Sequence, residues 1–198
     1  MTTSPLLRVD QLTHGPIQHL SHQWCGGVSW VCGDEGSGKT TLLRLLAGDL
    51  QAASGSVHAP EGGVFWVDLQ QATHDHTTVL ACWNALRARH SHWQDDLQHE
   101  LCQALDMTPH LDKRLHMLSA GSRRKVMLIA ALASGATATL LDQPFAALDR
   151  PSIDLVLGFL QEASSLRHRM WLVADYEVPE GLAVADVLHL QTSGPAPL

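Results

Sequence analysis

Gly33-Asp34-Glu35-Gly36-Ser37-Gly38-Lys39-Thr40 places glycines ahead of a lysine and a threonine in the pattern G-x-x-x-x-G-K-[ST]. Glycines let successive backbone N–H groups turn inward around phosphate oxygens. A helix that begins at the lysine aims its positive dipole end at the same anion. The chemistry on offer is the holding of a nucleotide's phosphate chain, with Lys39 reaching the β and γ phosphates and the Thr40 hydroxyl placed for Mg²⁺. Gly33, Asp34, Glu35, Gly36, Ser37, Gly38, Lys39, Thr40 and the adjoining Thr41 are the candidate ATP contacts.

A second metal contact is expected from an aspartate that ends a separate buried strand, and "TLLD" supplies Asp142 in that form. Taken alone, Asp142 also fits a turn or helix-cap carboxylate. The next residue, Gln143, bears on what the site does with its ligand. A neutral amide orients water by hydrogen bonding but cannot accept its proton, and losing a general base typically costs about 10² to 10⁴ in rate.

These residues need elements to carry them. "VSWVC" from Val28 to Cys32 reads as a short buried strand feeding the glycine loop, and "KTTLLRLLAGDL" repeats leucine at helical spacing up to Gly48. "SGSV" at Ser54 to Val57 and "VFWV" at Val64 to Val67 read as strands between turns. From roughly Thr78 to Leu115 the pattern turns helical with polar, His-rich faces, broken near Pro109, as an inserted lobe would be. A helix from Ser122 to about Ala133, a strand from Ala138 to Leu141, a helix from Pro151 to about Ser164 and a strand from Met170 to Ala174 follow. Such alternation implies an α/β core with parallel strands.

At 198 residues the chain suits one domain carrying a lobe. The expected division is a core of about 1–71 and 136–190, a helical lobe of about 72–135 and a flexible tail at 191–198. A net charge of −7 with no terminal basic run argues against nucleic acid as the main ligand. Cys25, Cys32, Cys82 and Cys102 form no C-x-x-C pair, which suits a reducing compartment. No charged-then-apolar leader opens the sequence, and the apolar run from Val126 to Leu141 is too short and too polar to span a bilayer.

Leu118-Ser119-Ala120-Gly121-Ser122, followed by Arg123, Arg124 and Lys125, resembles the LSGGQ signature of the ATP-binding cassette (ABC) ATPases. Ala120 and Ser122 stand where that family usually has Gly and Gln. A serine and a glycine at a helix start present a hydroxyl and free N–H groups to an anion, although the same residues also suit an ordinary N-cap. The resemblance runs from about Leu6 to Leu190 and implies a P-loop NTPase, RecA-like α/β core with N-terminal antiparallel β elements and an inserted α-helical lobe. It implies ATP and Mg²⁺ as ligands, Ser119 and Gly121 as ATP contacts, and Thr40 and Asp142 on the metal. Gln70 becomes the Q-loop glutamine that senses the metal and joins the catalytic set, with Gln71 the candidate if the register slips. "AALD" looks like the D-loop, with Asp149 near a dimer interface, and His14 sits near where the family stacks an aromatic ring on adenine.

Two positions depart from the hydrolysing members. Gln143 replaces the glutamate that polarises the attacking water, and Asp175 in "LVADYE" replaces the switch histidine; Tyr176 does not restore an imidazole. An acidic group near the γ phosphate repels it unless protonated or turned away. Gln143 is either an engineered substitution or native, and Asp175 favours the native reading because a single substitution explains only one departure.

The resemblance implies the ATP-binding subunit of a membrane transporter. Such a subunit is peripheral on the cytoplasmic face of the cell membrane, dimerises on ATP with a second ABC ATPase subunit, identical or not, and acts on separate transmembrane subunits. Residues around Gln70 to Trp83 would form the groove for a membrane subunit's cytoplasmic helix. The short length and the wording "LSAG" and "LDQPFAALD" look most like the small ATPases of the bacterial haem exporter (cytochrome c maturation) group. The alternative of another class is a nucleotide-gated clamp or scaffold, not tied to transport, that turns ATP over slowly or never.

Thirteen histidines raise a metal reading, but none of their groupings with cysteine has the complete spacing of a tetrahedral zinc site. They read as solvated helix faces. The six tryptophans read as core or interface anchors.

Overall fold

The computed structural model describes residues 4–68 and 72–191. Gln70, its neighbour Gln71 and the tail from residue 192 lie outside them. The chain divides into two compact units. The first comprises Met1–Trp66, Thr137–Gln143 and Leu157–Leu198, and the second Val67–Ala136 and Pro144–Val156.

The first unit holds two sheets. Strands β1 (Leu7–His14) and β2 (Ile17–Trp24) form an antiparallel hairpin, and β4 (Ser54–His58) pairs with the other edge of β1, giving the order β2-β1-β4. Leu7 and Val9 alternate inward, then a bulge at Gln11 (φ 50°) shifts the register so that Leu12 is also buried. The second sheet is parallel, in the order β5-β6-β7-β3-β8. Its strands are β3 (Gly27–Cys32), β5 (Val64–Phe65), β6 (Ala138–Asp142), β7 (Met170–Asp175) and β8 (Asp186–His189).

Every residue of β3 is buried, as are Ala138–Leu141 of β6 and Met170–Ala174 of β7, which is why these segments read as continuous apolar runs. Helix α1 (Lys39–Ala47) joins the two sheets into one core. Its Leu42, Leu43, Leu45 and Leu46 cluster with Leu7, Val9 and Trp24 of the hairpin and with Leu140 and Leu172 of the parallel sheet. Each such leucine contributes about 1.5–3 kcal/mol by leaving water. Gly48 ends α1 at φ 80°, its N–H bonding back to Arg44 O and Leu45 O.

The strand expected at Val64 to Val67 pairs only over Val64–Phe65. Trp66 leaves the ladder and donates Nε1–H to Asp49 Oδ2 at 2.9 Å.

The second unit is helical, with α2 (Val79–Arg87), α3 (Asp95–Ala104) and α4 (Ala120–Ala133). Thr78 caps α2 by accepting the Ala81 N–H. Trp83 is fully buried and donates Nε1–H to Val126 O at 3.0 Å, tying α2 to α4. Helix α4 begins two residues before the expected Ser122, because Ser119 supplies the cap. From Val126 to Ala133 every side chain is buried, so the helix carries no polar stripe there. Helix α5 (Arg150–Ala163) starts in the second unit and ends in the first, where Phe159 packs edge-on against Trp171 at 5.9 Å.

Trp24, Trp30, Trp83 and Trp171 are fully buried core anchors. All four cysteines are thiols, and burial pushes Cys82 up to about 11. Among the described residues, no helix is long and apolar enough to cross a membrane.

Trp83→Ala should remove about 3–5 kcal/mol of stability. Urea unfolding measures the loss, and hydrogen exchange should place the first loss of protection within α2 and α4.

Candidate nucleotide-binding site

The loop from Gly33 to Gly38 leaves the carboxyl end of β3 and enters α1 at once. Asp34 O accepts the Ser37 N–H at 3.2 Å, which closes the turn. The Lys39 ammonium, on a side chain only 6 % exposed, donates to Gly33 O at 2.5 Å and to Asp34 O at 2.9 Å. A buried cation needs such acceptors, and they hold it over the loop. Gly38 sits at φ 97°, and a Cβ there would lie 2.8 Å from Pro16 Cγ, so the hairpin turn after β1 rests directly on the loop. His14, half-buried, closes that hairpin opposite Ile17.

Three observations show that the cradle suits phosphate. Gly38 provides no side-chain cap, so the first N–H groups of α1 have no side-chain acceptor. No acidic residue lies in the first turn. The Ser37 hydroxyl is buried and has no hydrogen-bond partner among the described residues.

Asp142 ends β6, two strands from β3, and its Oδ2 accepts the Thr40 hydroxyl at 2.6 Å. The structure thus brings together two of the three side chains assigned to the metal; the third, Gln70, lies outside the described residues. A hydroxyl and a carboxylate are hard oxygen donors of the kind Mg²⁺ takes alongside phosphate.

Gln143 follows at φ 44°, in the left-handed region and directly before Pro144, with its N–H on Ala174 O at 2.8 Å. A non-glycine residue held there costs roughly 1–3 kcal/mol, a strain of the kind found at working sites. Asp175 ends β7 in register with Cys32, the residue before the loop, and its Oδ1 accepts the Tyr176 N–H at 2.8 Å. Burial first, and then the Asp175 and Glu177 carboxylates, push the Cys32 thiol above its ordinary value. The carboxyl ends of β6, β7 and β3 therefore present Asp142 and Gln143, Asp175, and the glycine loop side by side.

The remaining candidates lie in the second unit. Ser119 accepts the Ser122 N–H at 3.1 Å and donates its own hydroxyl hydrogen to Ser122 Oγ at 3.0 Å, so both ends of that hydroxyl serve the start of α4. A Cβ on Gly121 would lie 2.4 Å from Ala147 O, and Ala147 itself sits at φ 61°. The glycine is therefore required by close approach of the "AALD" segment. Asp149 caps α5 through Ser152 N–H at 2.9 Å and Ser152 Oγ at 2.6 Å, and pairs with Lys125 Nζ at 2.9 Å. The Ser152 and Lys125 hydrogen bonds hold its carboxyl well below the usual carboxylate range.

Sequence reasoning did not reach several partners. Arg123 binds Asp75 Oδ1 at 2.8 Å, and His116 Nδ1 lies 2.8 Å from Asp75 O, which ties the segment after residue 71 to the start of α4. The run of three basic residues after Ser122 was the available signal. Among the described residues, no three His, Cys, Asp or Glu side chains gather as a metal site.

Fold and loop together define a P-loop nucleotide-binding protein of the α/β class. The sequence profile of the ABC transporter family matches residues 22–146. The chain is 36 % identical over 139 residues to the cytochrome c biogenesis ATP-binding export protein of Pseudomonas savastanoi, covering 65 % of each. It is 32 % identical over 187 residues to the molybdenum import ATP-binding protein of Albidiferax ferrireducens, covering 85 % of this chain and 50 % of that protein. A solved ATP-binding cassette of an ABC transporter superposes with a TM-score of 0.71 at 18 % identity, covering 97 % of this chain and 91 % of that one. The chain belongs to the ABC transporter family and has the ABC ATPase fold. It spans less than two thirds of the first relative and half of the second.

Gly121→Ala should lower stability by about 1–3 kcal/mol with no nucleotide present, because the added methyl meets a backbone carbonyl. Thermal unfolding without ligand checks this. An unchanged midpoint would show that the glycine does not serve packing.

Proposed function

We propose that this chain is the ATP-binding subunit of an ABC transporter, dimerising on ATP and coupling ATP binding and hydrolysis to separate membrane subunits. The observation that carries the reading is the Gly33–Thr40 cradle, with the Lys39 ammonium held over it and Thr40 bonded to Asp142. Lys39 and the N–H groups at the start of α1 bind the phosphates. Thr40 Oγ1 and an Asp142 oxygen would hold Mg²⁺. Bound there, Mg²⁺ would neutralise charge on the β and γ phosphates. The Ser119–Gly121 helix start and Asp149 face a second ATPase subunit, as the family resemblance implies.

Gln143 stands beside Asp142 with an amide that orients water and accepts no proton, and Asp175 adds negative charge at the same carboxyl end of the sheet. The amide slows cleavage relative to binding, whereas the Asp175 carboxylate gives the γ phosphate no donor and repels it. The transport reading is preferred to a free-standing clamp because the relatives are named as export and import ATP-binding proteins. Those names span both directions of transport, which leaves cargo choice to the membrane partners. A place on the cytoplasmic face of a membrane follows from the same reading.

Lys39→Ala should weaken fluorescent ATP-analogue binding about 10- to 100-fold, the loss of a charge-assisted contact to phosphate. Gln143→Glu should raise Mg²⁺-dependent phosphate release about 10²- to 10⁴-fold. A rate that stays at the wild-type level would sink the assignment of Gln143 to the position of the general base.

A further inference from the structure

Lys39 has three N–H donors, and the loop uses two of them, on Gly33 O and Asp34 O. The ring of Tyr176 lies over the same ammonium, with its centroid 4.8 Å from Nζ, inside the range of a cation–π contact. A phosphate oxygen that binds Lys39 needs the donor direction left open by the two carbonyls. A ring this close to Nζ narrows the space through which a phosphate oxygen reaches the third donor.

We propose that Tyr176 is a gate on the phosphate cradle: its ring competes with the nucleotide's terminal phosphates for the Lys39 ammonium. The inference rests on the nucleotide reading of that cradle.

The placement of Tyr176 fits a residue that must leave and return. It follows β7 directly, so the strand delivers it to the carboxyl end of the sheet, where the glycine loop begins. Its N–H is bonded to the Asp175 carboxylate, an anchor that sets the backbone and leaves χ1 free to swing the ring. The residue is 55 % exposed, one of the few large apolar groups on the surface, so turning outward costs it little burial. Lys39, by contrast, is 6 % exposed and cannot follow without losing both carbonyls. When phosphate arrives, the ring is the partner that gives way. The gate thus opposes binding by the strength of one partly exposed cation–π contact and holds the lysine in place until phosphate takes over. The substitution Tyr176→Phe keeps the ring quadrupole that makes this contact, whereas Tyr176→Ala leaves a methyl group that has none.

Tyr176 is the single tyrosine of the chain, so fluorotyrosine incorporation gives one ring reporter for ¹⁹F NMR. Adding ATP should shift that resonance, and adenosine, which lacks phosphate, should leave it in place. Tyr176→Ala should bind a fluorescent ATP analogue about 2- to 5-fold more tightly than the wild type, and Tyr176→Phe should match the wild type. Intact ATP binding with Tyr176→Ala equal to or weaker than wild type, or a resonance that ATP does not move, would overturn the gate alone. A wild-type chain that binds no ATP, or binds it equally well after Lys39→Ala, would overturn the nucleotide reading and the gate together.

Discussion

A lysine ammonium taken almost wholly out of water must find acceptors, and much of the first unit is arranged to supply and shield them. Gly33 O and Asp34 O face Lys39 because the loop turns tightly enough for the Ser37 N–H to reach Asp34 O. Gly36 takes a positive φ within that turn, and Gly38, which follows it, lies close under Pro16, so the β1–β2 hairpin braces the loop from outside. The leucines of α1 then fasten the lysine's own helix to both sheets. A cation in this setting interacts with phosphate more strongly than one in bulk water, since fewer solvent dipoles screen it.

A second constraint operates around α4. Gly121 lets the carbonyl of Ala147 come within a distance no Cβ tolerates, and Lys125 reaches across to Asp149, which also caps α5. Arg123 engages Asp75 on the opposite flank. The basic residues Arg123 and Lys125 after the signature-like segment are thus occupied by carboxylates of their own unit. The chain passes from one unit to the other between Gln143 and Pro144, and the strained backbone of Gln143 sits at that crossing. The residue proposed to stand at the position of the general base is also the one that leads out of the parallel sheet.

Residue patterns did not place β1, β2 or β8, although family resemblance implied N-terminal antiparallel β elements. In β1 the bulge at Gln11 breaks the period of two, so the alternation of Leu7 and Val9 does not continue to Leu12. In β2 only Ile17 and Trp24 are buried, and in β8 no residue is, which leaves edge strands with no apolar pattern to read. The interior strands β3, β6 and β7 were legible because both faces are covered and nearly every position is apolar or small. Gln70 was reached only through family resemblance, and it lies outside the described residues.

Local sequence determined the phosphate cradle, since turn, lysine and helix start are contiguous and their geometry follows from glycine placement and helical spacing. It also determined Asp142 as the carboxylate at the end of a buried strand. Tertiary structure decided which distant groups meet them. The parallel register of β3 with β7 brings Asp175 and Tyr176 to the cradle, and the order of the sheet brings Asp142 to Thr40. The close approach of Ala147 gave Gly121, expected as an anion contact, a packing requirement of its own. Register and strand order are properties of pairing between segments far apart in the chain, and no local pattern encodes which side chains two such segments will place face to face.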